Sequence, residues 1–160
     1  MIELLVLYIL YNKTLSMYQI RQIIKTRFGY LLSGSFGSIH PILKRLQKDN
    51  FILPKKELSK GGKACCTYKI TANGKKYFEE IIKSQNKTNL KIIETKLACL
   101  DICSKSVQQE VLEDIEIFYK NKIINLKNLL TVNGYNDTQK IQIKNLITYY
   151  ENKKNSLSFI

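Results

Sequence analysis

The chain has 160 residues, and 44% of them are hydrophobic, so it can bury a core and is not a disordered chain. Lysine and arginine together number 26 against 13 acidic residues, and the formal net charge of +13 favours a polyanionic partner. This length is typical of one domain, or of a small domain with an extension.

The positive charge is concentrated in the first half of the chain. Residues 1–83 contain 15 of the 26 basic residues and 5 of the 13 acidic ones, whereas residues 84–160 contain 11 and 8. We therefore expect residues 1–83 to bind a polyanion and residues 84–160 to serve another purpose. A general bias toward lysine and asparagine is the alternative, but such a bias would not by itself place the excess in one half.

Cysteine and histidine usage argues against a metal centre, a cofactor or an active site. The four cysteines form two close pairs, Cys65-Cys66 and Cys99/Cys103, and neither pair has the spacing of a zinc site. His40 is the single histidine, and no glycine-rich phosphate loop or paired-carboxylate site is present. We expect four free thiols, with Cys99 and Cys103 small, buried and inert; a redox or metal role for these two at their i,i+4 spacing is the alternative. We expect no metal, no cofactor and no enzymatic activity.

The N-terminal segment is apolar but does not predict a membrane protein. Residues 1–11 are too few to cross a bilayer, carry Glu3, and lack both a basic leader and a small-residue cleavage site. We therefore expect a cytoplasmic protein with no membrane association.

Helical periodicity begins at the N-terminus. Apolar residues between positions 4 and 9 predict a first helix that ends near residue 11, and a polar turn follows. Ser16 and Gln19 then form a capping box for a second helix, which ends near Gly29. A loop over residues 30–34 leads to the next helix.

A basic helix followed by a basic hairpin is the most informative part of the chain. Residues 35–49 predict a helix with Ile39, Leu43 and Leu46 on one face and basic residues elsewhere. Pro41 falls near its first turn, and Asn50 is suited to the left-handed cap. An apolar strand at residues 51–53, a lysine- and glycine-rich tip at 55–63 and a return strand at 66–70 complete the hairpin. This order is the plan of a winged helix, whose helix enters the DNA major groove while the hairpin contacts phosphates.

The remaining sequence predicts helices. A turn at residues 71–74 opens a helix over 75–83, and the polar stretch 84–88 marks the predicted domain boundary. Three amphipathic helices follow, at about 90–100, 106–130 and 138–155, and their apolar stripes need a partner in the same chain or in a second one. The stripe of the long helix comprises Leu112, Ile115, Tyr119, Ile123, Leu126 and Leu130. That of the last helix comprises Ile143, Leu146, Ile147 and Tyr150.

The predicted fold is therefore mostly α with a small β wing. Residues 1–83 form a winged helix-turn-helix DNA-binding domain, and residues 84–160 form an α-helical dimerisation or effector region.

Several segments resemble one known family. They are Met17-Tyr18-Gln19-Ile20, Gly-Ser-Ile-His-Pro-Ile-Leu-Lys-Arg-Leu at 37–46, Gly61-Gly62-Lys63, and Tyr-Lys-Ile-Thr-Ala-Asn-Gly at 68–74. In register over residues 4–82, the sequence resembles the PadR transcriptional regulators, and the C-terminal helices are more loosely similar to the extension of longer members. His40 stands where the family usually has tyrosine. The resemblance implies a homodimer, usually a repressor, on a palindromic double-stranded DNA operator, with a small aromatic compound as effector.

The resemblance also implies a set of DNA-binding residues. The set is Tyr18, Ser35, Ser38, His40, Lys44, Lys60 and Lys63. Tyr18 would offer its hydroxyl to a phosphate, or else plug the core as a buried aromatic. The side chains at the N-terminal end of the third helix would meet base edges, although Ser38 is alternatively only a cap and His40 alternatively a partly buried histidine. Lys44 would meet a base or phosphate, or remain solvated.

The two wing lysines, Lys60 and Lys63, are point charges suited to backbone contact rather than to base recognition. The function predicted from the sequence is thus a sequence-specific DNA-binding transcription regulator, in the family's usual role of repressor. A non-specific nucleic-acid-binding or architectural winged-helix protein is the alternative, and a protein-interaction module is a third interpretation.

Overall fold

The computed structural model describes residues 1–32, 35–58, 64–84 and 89–160. The helices are α1 (Ile2–Leu10), α2 (Met17–Arg27), α3 (Phe36–Lys48), α4 (Ala72–Lys83), α5 (Leu90–Leu97), α6 (Lys105–Leu130) and α7 (Asp137–Ser156). The strands are β1 (Leu15–Ser16), β2 (Ile52–Leu58) and β3 (Ala64–Ile70), and short 3₁₀ helices cover Leu100–Ile102 and Leu157–Phe159. This mostly helical fold with a small sheet confirms the predicted fold class.

The chain divides into two compact units, residues 1–107 and residues 108–160. The predicted boundary between residues 83 and 84 separates a DNA-binding region from a dimerisation region, and it stays a prediction. Within the first unit α5 contacts α1, and the ammonium group of Lys96 donates to the backbone carbonyl of Ser84 at 2.6 Å.

The first unit is built around α1. Six of its nine residues are buried, and the helix contacts α2, α3, α4 and α5. A helix that is apolar on nearly all sides is stable only when other elements surround it. The buried side chains Ile20 and Ile24 of α2, Ile39 and Leu43 of α3, and Phe78 of α4 complete this core.

The sheet is antiparallel in the order β1-β3-β2. β2 and β3 form the hairpin, with Ile52 opposite Ile70 at its buried base, and β1 pairs Leu15 with Tyr68. Strand β1 was not predicted from the sequence because two residues carry no periodicity, and pairing with β3 is what makes them a strand. The first hairpin strand is also longer than predicted, since Lys55 and Lys56 belong to β2 and pair with β3.

Local hydrogen bonds cap the C-terminal end of α3 and the N-terminal end of α4. Asn50 adopts a left-handed conformation with φ of 57°, as expected. The amide of Phe51 donates to the carbonyl of Leu46 at 2.8 Å and that of Asn50 to Gln47 at 3.1 Å, which is a Schellman motif. Helix α4 begins earlier than predicted, at Ala72, because the hydroxyl of Thr71 caps it.

In the second unit, α7 packs on the C-terminal part of α6. Ile123, Ile143 and Ile147 form a buried cluster. Lys127 forms an ion pair with Glu151 at 3.0 Å. The partly buried side chains around the cluster are Leu126, Leu130, Tyr135 and Tyr150. This part of the predicted α6 stripe is therefore covered within the same chain. Leu146, which was placed on the apolar stripe of the last helix, is 45% exposed instead.

The cysteines differ in their surroundings. All four are free; Cys99 is buried, Cys65 and Cys103 are half-buried and Cys66 is exposed. Burial raises the pKa of Cys103 to about 11 and also raises that of Cys99, which keeps both protonated at neutral pH. Within the described ranges, no three His, Cys, Asp or Glu side chains are grouped as metal ligands would be. None of the helices in those ranges is both long enough and apolar enough to cross a bilayer.

Candidate nucleic-acid interface

Helix α3 presents one apolar face to the core and one polar face to solvent. Ile39, Leu43 and Leu46 are no more than 1% exposed. Residues 37, 41, 44 and 48 are all exposed and lie on the opposite face at spacings of four, three and four. The outward face of α3 thus carries Lys44 and Lys48 one turn apart, with the exposed His40 beside it. Lys48 was not among the predicted site residues, although the same helical spacing places it there.

Two serines lie at the N-terminus of α3. Ser35 is the N-cap, and its hydroxyl oxygen accepts a hydrogen bond from the amide of Ser38 at 3.3 Å. The Ser38 hydroxyl donates to the carbonyl of Ser35 at 2.9 Å, and the two hydroxyl oxygens are 3.0 Å apart. Ser35 therefore caps the helix, whereas the Ser38 hydroxyl is held by hydrogen bonds to Ser35 within the same turn. The predicted contacts of both serines with base edges stay predictions. Because the helix dipole makes this end partially positive, it also favours an approaching anion.

Tyr18 is exposed near the start of α2. The capping box is present, since the amide of Ser16 donates to the Gln19 side chain at 2.8 Å and the amide of Gln19 donates to Ser16 at 3.3 Å. Tyr18 is the second residue of the helix and is 62% exposed, so it is not a buried aromatic. Its predicted contact with a phosphate stays a prediction.

The tip of the hairpin lies outside the described residues, and so do Lys60 and Lys63. The described strands carry three further exposed lysines, Lys55, Lys56 and Lys69. Lys69 lies opposite Leu53, and Lys56 lies opposite Cys66. None of these three lysines is among the predicted site residues, although the sequence places Lys55 and Lys56 in the predicted tip.

Arg45 connects α3 to another helix. Its guanidinium Nη2 lies 2.7 Å from Oε2 of Glu3, on α1. The hydrogen bond and charge of Glu3 raise the pKa of Arg45 further above its ordinary value. Arg45 is thus engaged within the fold, whereas Lys44 and Lys48 of the same helix face solvent.

The sequence of this part of the chain matches a known protein family. The family described as the transcriptional regulator PadR-like family matches residues 6–80, which run from α1 through α3 and the hairpin to α4. The matched part, slightly under half of the chain, resembles the PadR-like family. Members of the PadR-like family are transcription regulators and not enzymes.

Several solved structures match nearly the whole chain at low identity. The protein smu.1604c from Streptococcus mutans UA159 is 24% identical, with 98% of this chain and 95% of that chain covered and a TM-score of 0.49. Bacillus subtilis PadR in complex with operator DNA is 18% identical, with coverage of 98% and 93% and a TM-score of 0.49. The PadR-like regulator BC1756 from Bacillus cereus is 22% identical, with coverage of 99% and 94% and a TM-score of 0.45. Among curated proteins, none matches the chain.

Proposed function

We propose that this protein is a cytoplasmic, homodimeric transcription repressor that binds a palindromic operator through α3 and the hairpin. The observation that carries the proposal is the outward face of α3, where His40, Lys44 and Lys48 lie exposed within a PadR-like domain. An α-helix fits the DNA major groove, and side chains at its N-terminal end are the ones that meet base edges.

The capped start of α3 supports base recognition at this end. Ser35 and Ser38 hold the first turn in helical geometry and leave His40 and Lys44 one turn apart on the exposed side. An imidazole and an ammonium group both donate hydrogen bonds to the acceptors of guanine in the major groove. Tyr18, Lys60 and Lys63 would contact the phosphate backbone and supply the affinity that does not depend on sequence.

The second unit supports self-association. Several of its large apolar side chains are between 39% and 56% exposed, namely Ile117, Ile124, Ile141, Leu146 and Tyr149. Apolar side chains exposed in such number favour contact with another surface, and a second copy of this chain would also double the DNA contacts on a two-fold operator. The dimer contact in this proposal is made by these exposed residues rather than by the α6 stripe, because Ile123 already packs on α7.

A cleft in the first unit is our candidate for the effector site. It has a volume of about 440 Å³, and its lining includes Tyr8, Phe28 and Tyr30 together with Lys13 and Arg27. The Tyr8 and Phe28 rings meet edge to face at 5.9 Å between centroids. Neither Lys13 nor Arg27 forms an ion pair with any residue that the structure describes. Aromatic rings beside two available cations suit a small aromatic anion.

The cleft is placed so that a ligand would affect α3. Arg27 ends α2, and α2 contacts α3 directly. Burial, together with the hydrogen bond from the Tyr8 hydroxyl to Asp101 at 3.1 Å, raises the pKa of Tyr8 to about 12, so Tyr8 carries no charge at neutral pH. Benzoate should bind more tightly than neutral benzamide, and Arg27→Gln should remove that preference while Lys140→Gln should not.

A competition titration tests the main proposal. Duplex DNA from the promoter of the protein's own gene should be preferred over random duplex by more than about 10³-fold at physiological salt. Similar affinities for the two duplexes would instead favour the alternative, a non-specific or architectural nucleic-acid-binding protein.

A further inference from the structure

The carboxylate of Glu3 joins three helices. Its Oε2 lies 2.7 Å from Nη2 of Arg45 on α3, and its Oε1 accepts a hydrogen bond of 3.4 Å from the hydroxyl of Tyr77 on α4. The Glu3 side chain is only 19% exposed, while that of Arg45 is 55% exposed. Both carboxylate oxygens of an α1 residue are thus engaged by donors from α3 and α4.

The same group of residues also reaches the chain that leaves α3. The ring of Tyr77 stacks on that of Phe51 with 4.0 Å between centroids and 10° between planes. Phe51 directly follows the cap of α3, and its amide donates to the carbonyl of Leu46. The C-terminal end of α3 is therefore held on two sides. Glu3 of α1 binds Arg45, and Tyr77 of α4 stacks on Phe51.

This ion pair differs from the two other pairs among the described residues. Lys127–Glu151 also connects two helices, but both of its side chains are more than 40% exposed. Glu116 and Lys120 lie one turn apart on α6, and both are more than 40% exposed. A pair within one helix leaves the position of that helix unchanged, and solvent weakens it. The Glu3–Arg45 pair connects two helices, and the more protected carboxylate makes its hydrogen bonds stronger than those of an exposed pair.

We propose that Glu3 is a positioning residue for DNA recognition: by holding Arg45, it fixes the orientation of α3, and Arg45 does not contact phosphate. This inference rests on the proposed function of α3. Ser38 lies seven residues before Arg45, which is about 10 Å along a helix axis. A tilt of about 6° at the Arg45 end would move Ser38 and its neighbours by about 1 Å, enough to lengthen a hydrogen bond beyond its useful range.

If the proposal is right, breaking the Glu3–Arg45 ion pair should lower the sequence specificity of DNA binding and leave the electrostatic part of the affinity unchanged. Binding of the own-promoter duplex and of random duplex is measured between 50 and 200 mM salt for the full chain. Glu3→Gln and Arg45→Ala should each lower the ratio of the two affinities at least tenfold. The affinity for random duplex and its dependence on salt should stay unchanged, because every phosphate contact is still made.

Two further variants separate positioning from general stability. The exchange of both residues, Glu3→Arg with Arg45→Glu, restores an ion pair and should recover part of the lost ratio. Glu116→Gln removes an ion pair elsewhere and should leave the ratio unchanged. The unfolding temperature of each variant shows whether it folds. If Arg45→Ala does not fold, Arg45→Lys replaces it. Lysine keeps the charge but loses the forked geometry, so the same loss in the affinity ratio is expected.

The possible results are distinct. If Arg45→Ala weakens binding to both duplexes equally and lowers the salt slope by about 0.9 for each phosphate that is no longer neutralised, Arg45 is a phosphate contact and the inference is wrong. An unchanged ratio in Glu3→Gln, with a wild-type ratio above about 10³, overturns the positioning role alone. A wild-type ratio near one overturns the proposed function, and this inference with it.

Discussion

Gly74 lies directly against the backbone of Phe51. A Cβ atom at Gly74 would overlap the carbonyl oxygen of Phe51 and would be 2.8 Å from the side chain of Ile70. The same carbonyl accepts a hydrogen bond from the amide of Thr71 at 3.0 Å, and the Thr71 hydroxyl donates to the carbonyl of Asn50 at 2.8 Å. The first turn of α4 is thereby held against the start of β2, which anchors the base of the hairpin.

Gly74→Ala should lower the free energy of unfolding strongly, by about 1–3 kcal/mol or more, because the methyl group would meet backbone rather than a side chain that can move. Gly37→Ala is the matched control, since its nearest neighbour would be the Ser35 hydroxyl at 3.9 Å. That control lies in the first turn of α3 and should change the free energy of unfolding by less than about 1 kcal/mol. Urea unfolding measures both changes, and equal effects would contradict the close approach at Gly74.

Base recognition is tested on the outward face of α3. His40→Ala or Lys44→Ala should each weaken operator binding by about 1–3 kcal/mol and random-duplex binding by less, because only the operator offers the matching base edges. Lys140→Ala removes an exposed lysine of α7 and serves as the control. Equal losses on operator and random DNA would make the two residues phosphate contacts.

The wing lysines are tested through salt dependence. If two subunits neutralise about six to ten phosphates, affinity should fall about 10³–10⁵-fold between 50 and 200 mM salt. Replacing Lys60 and Lys63 together by alanine should flatten this dependence and weaken all sequences similarly. A slope that does not change would place the tip of the hairpin off the DNA.

Assembly is tested by sedimentation of the full chain. We expect a dimer at micromolar concentration, and Ile117→Lys with Ile124→Lys should dissociate it, because both side chains are 54% exposed and need no rearrangement of the core to accept a charge. Operator binding should weaken together with dimerisation. A monomeric wild-type chain would contradict the homodimer and, with it, the two-fold operator.

Much of the helical fold was predictable because its signals are local. The capping box at Ser16 and Gln19 and the left-handed Asn50 both depend on hydrogen bonds within a few residues, so neighbouring sequence is enough to recognise them. The apolar face of α3 was equally clear, since periodic burial of Ile39 and Leu43 requires only that one side of the helix faces a core.

Other features depended on contacts between distant residues. Leu15 is a strand residue because it pairs with Tyr68, and Ile123 is covered because α7 returns along α6. Composition also grouped Arg45 with the other basic residues of α3, and only the packing of α1 against that helix pairs it with Glu3. The sequence by itself determined the helices, the caps and the basic character of α3, because these follow from short-range hydrogen bonding and residue spacing. Tertiary structure alone decided which strands pair, which apolar stripe is covered and which cation is engaged, because each requires two parts of the chain to meet in space.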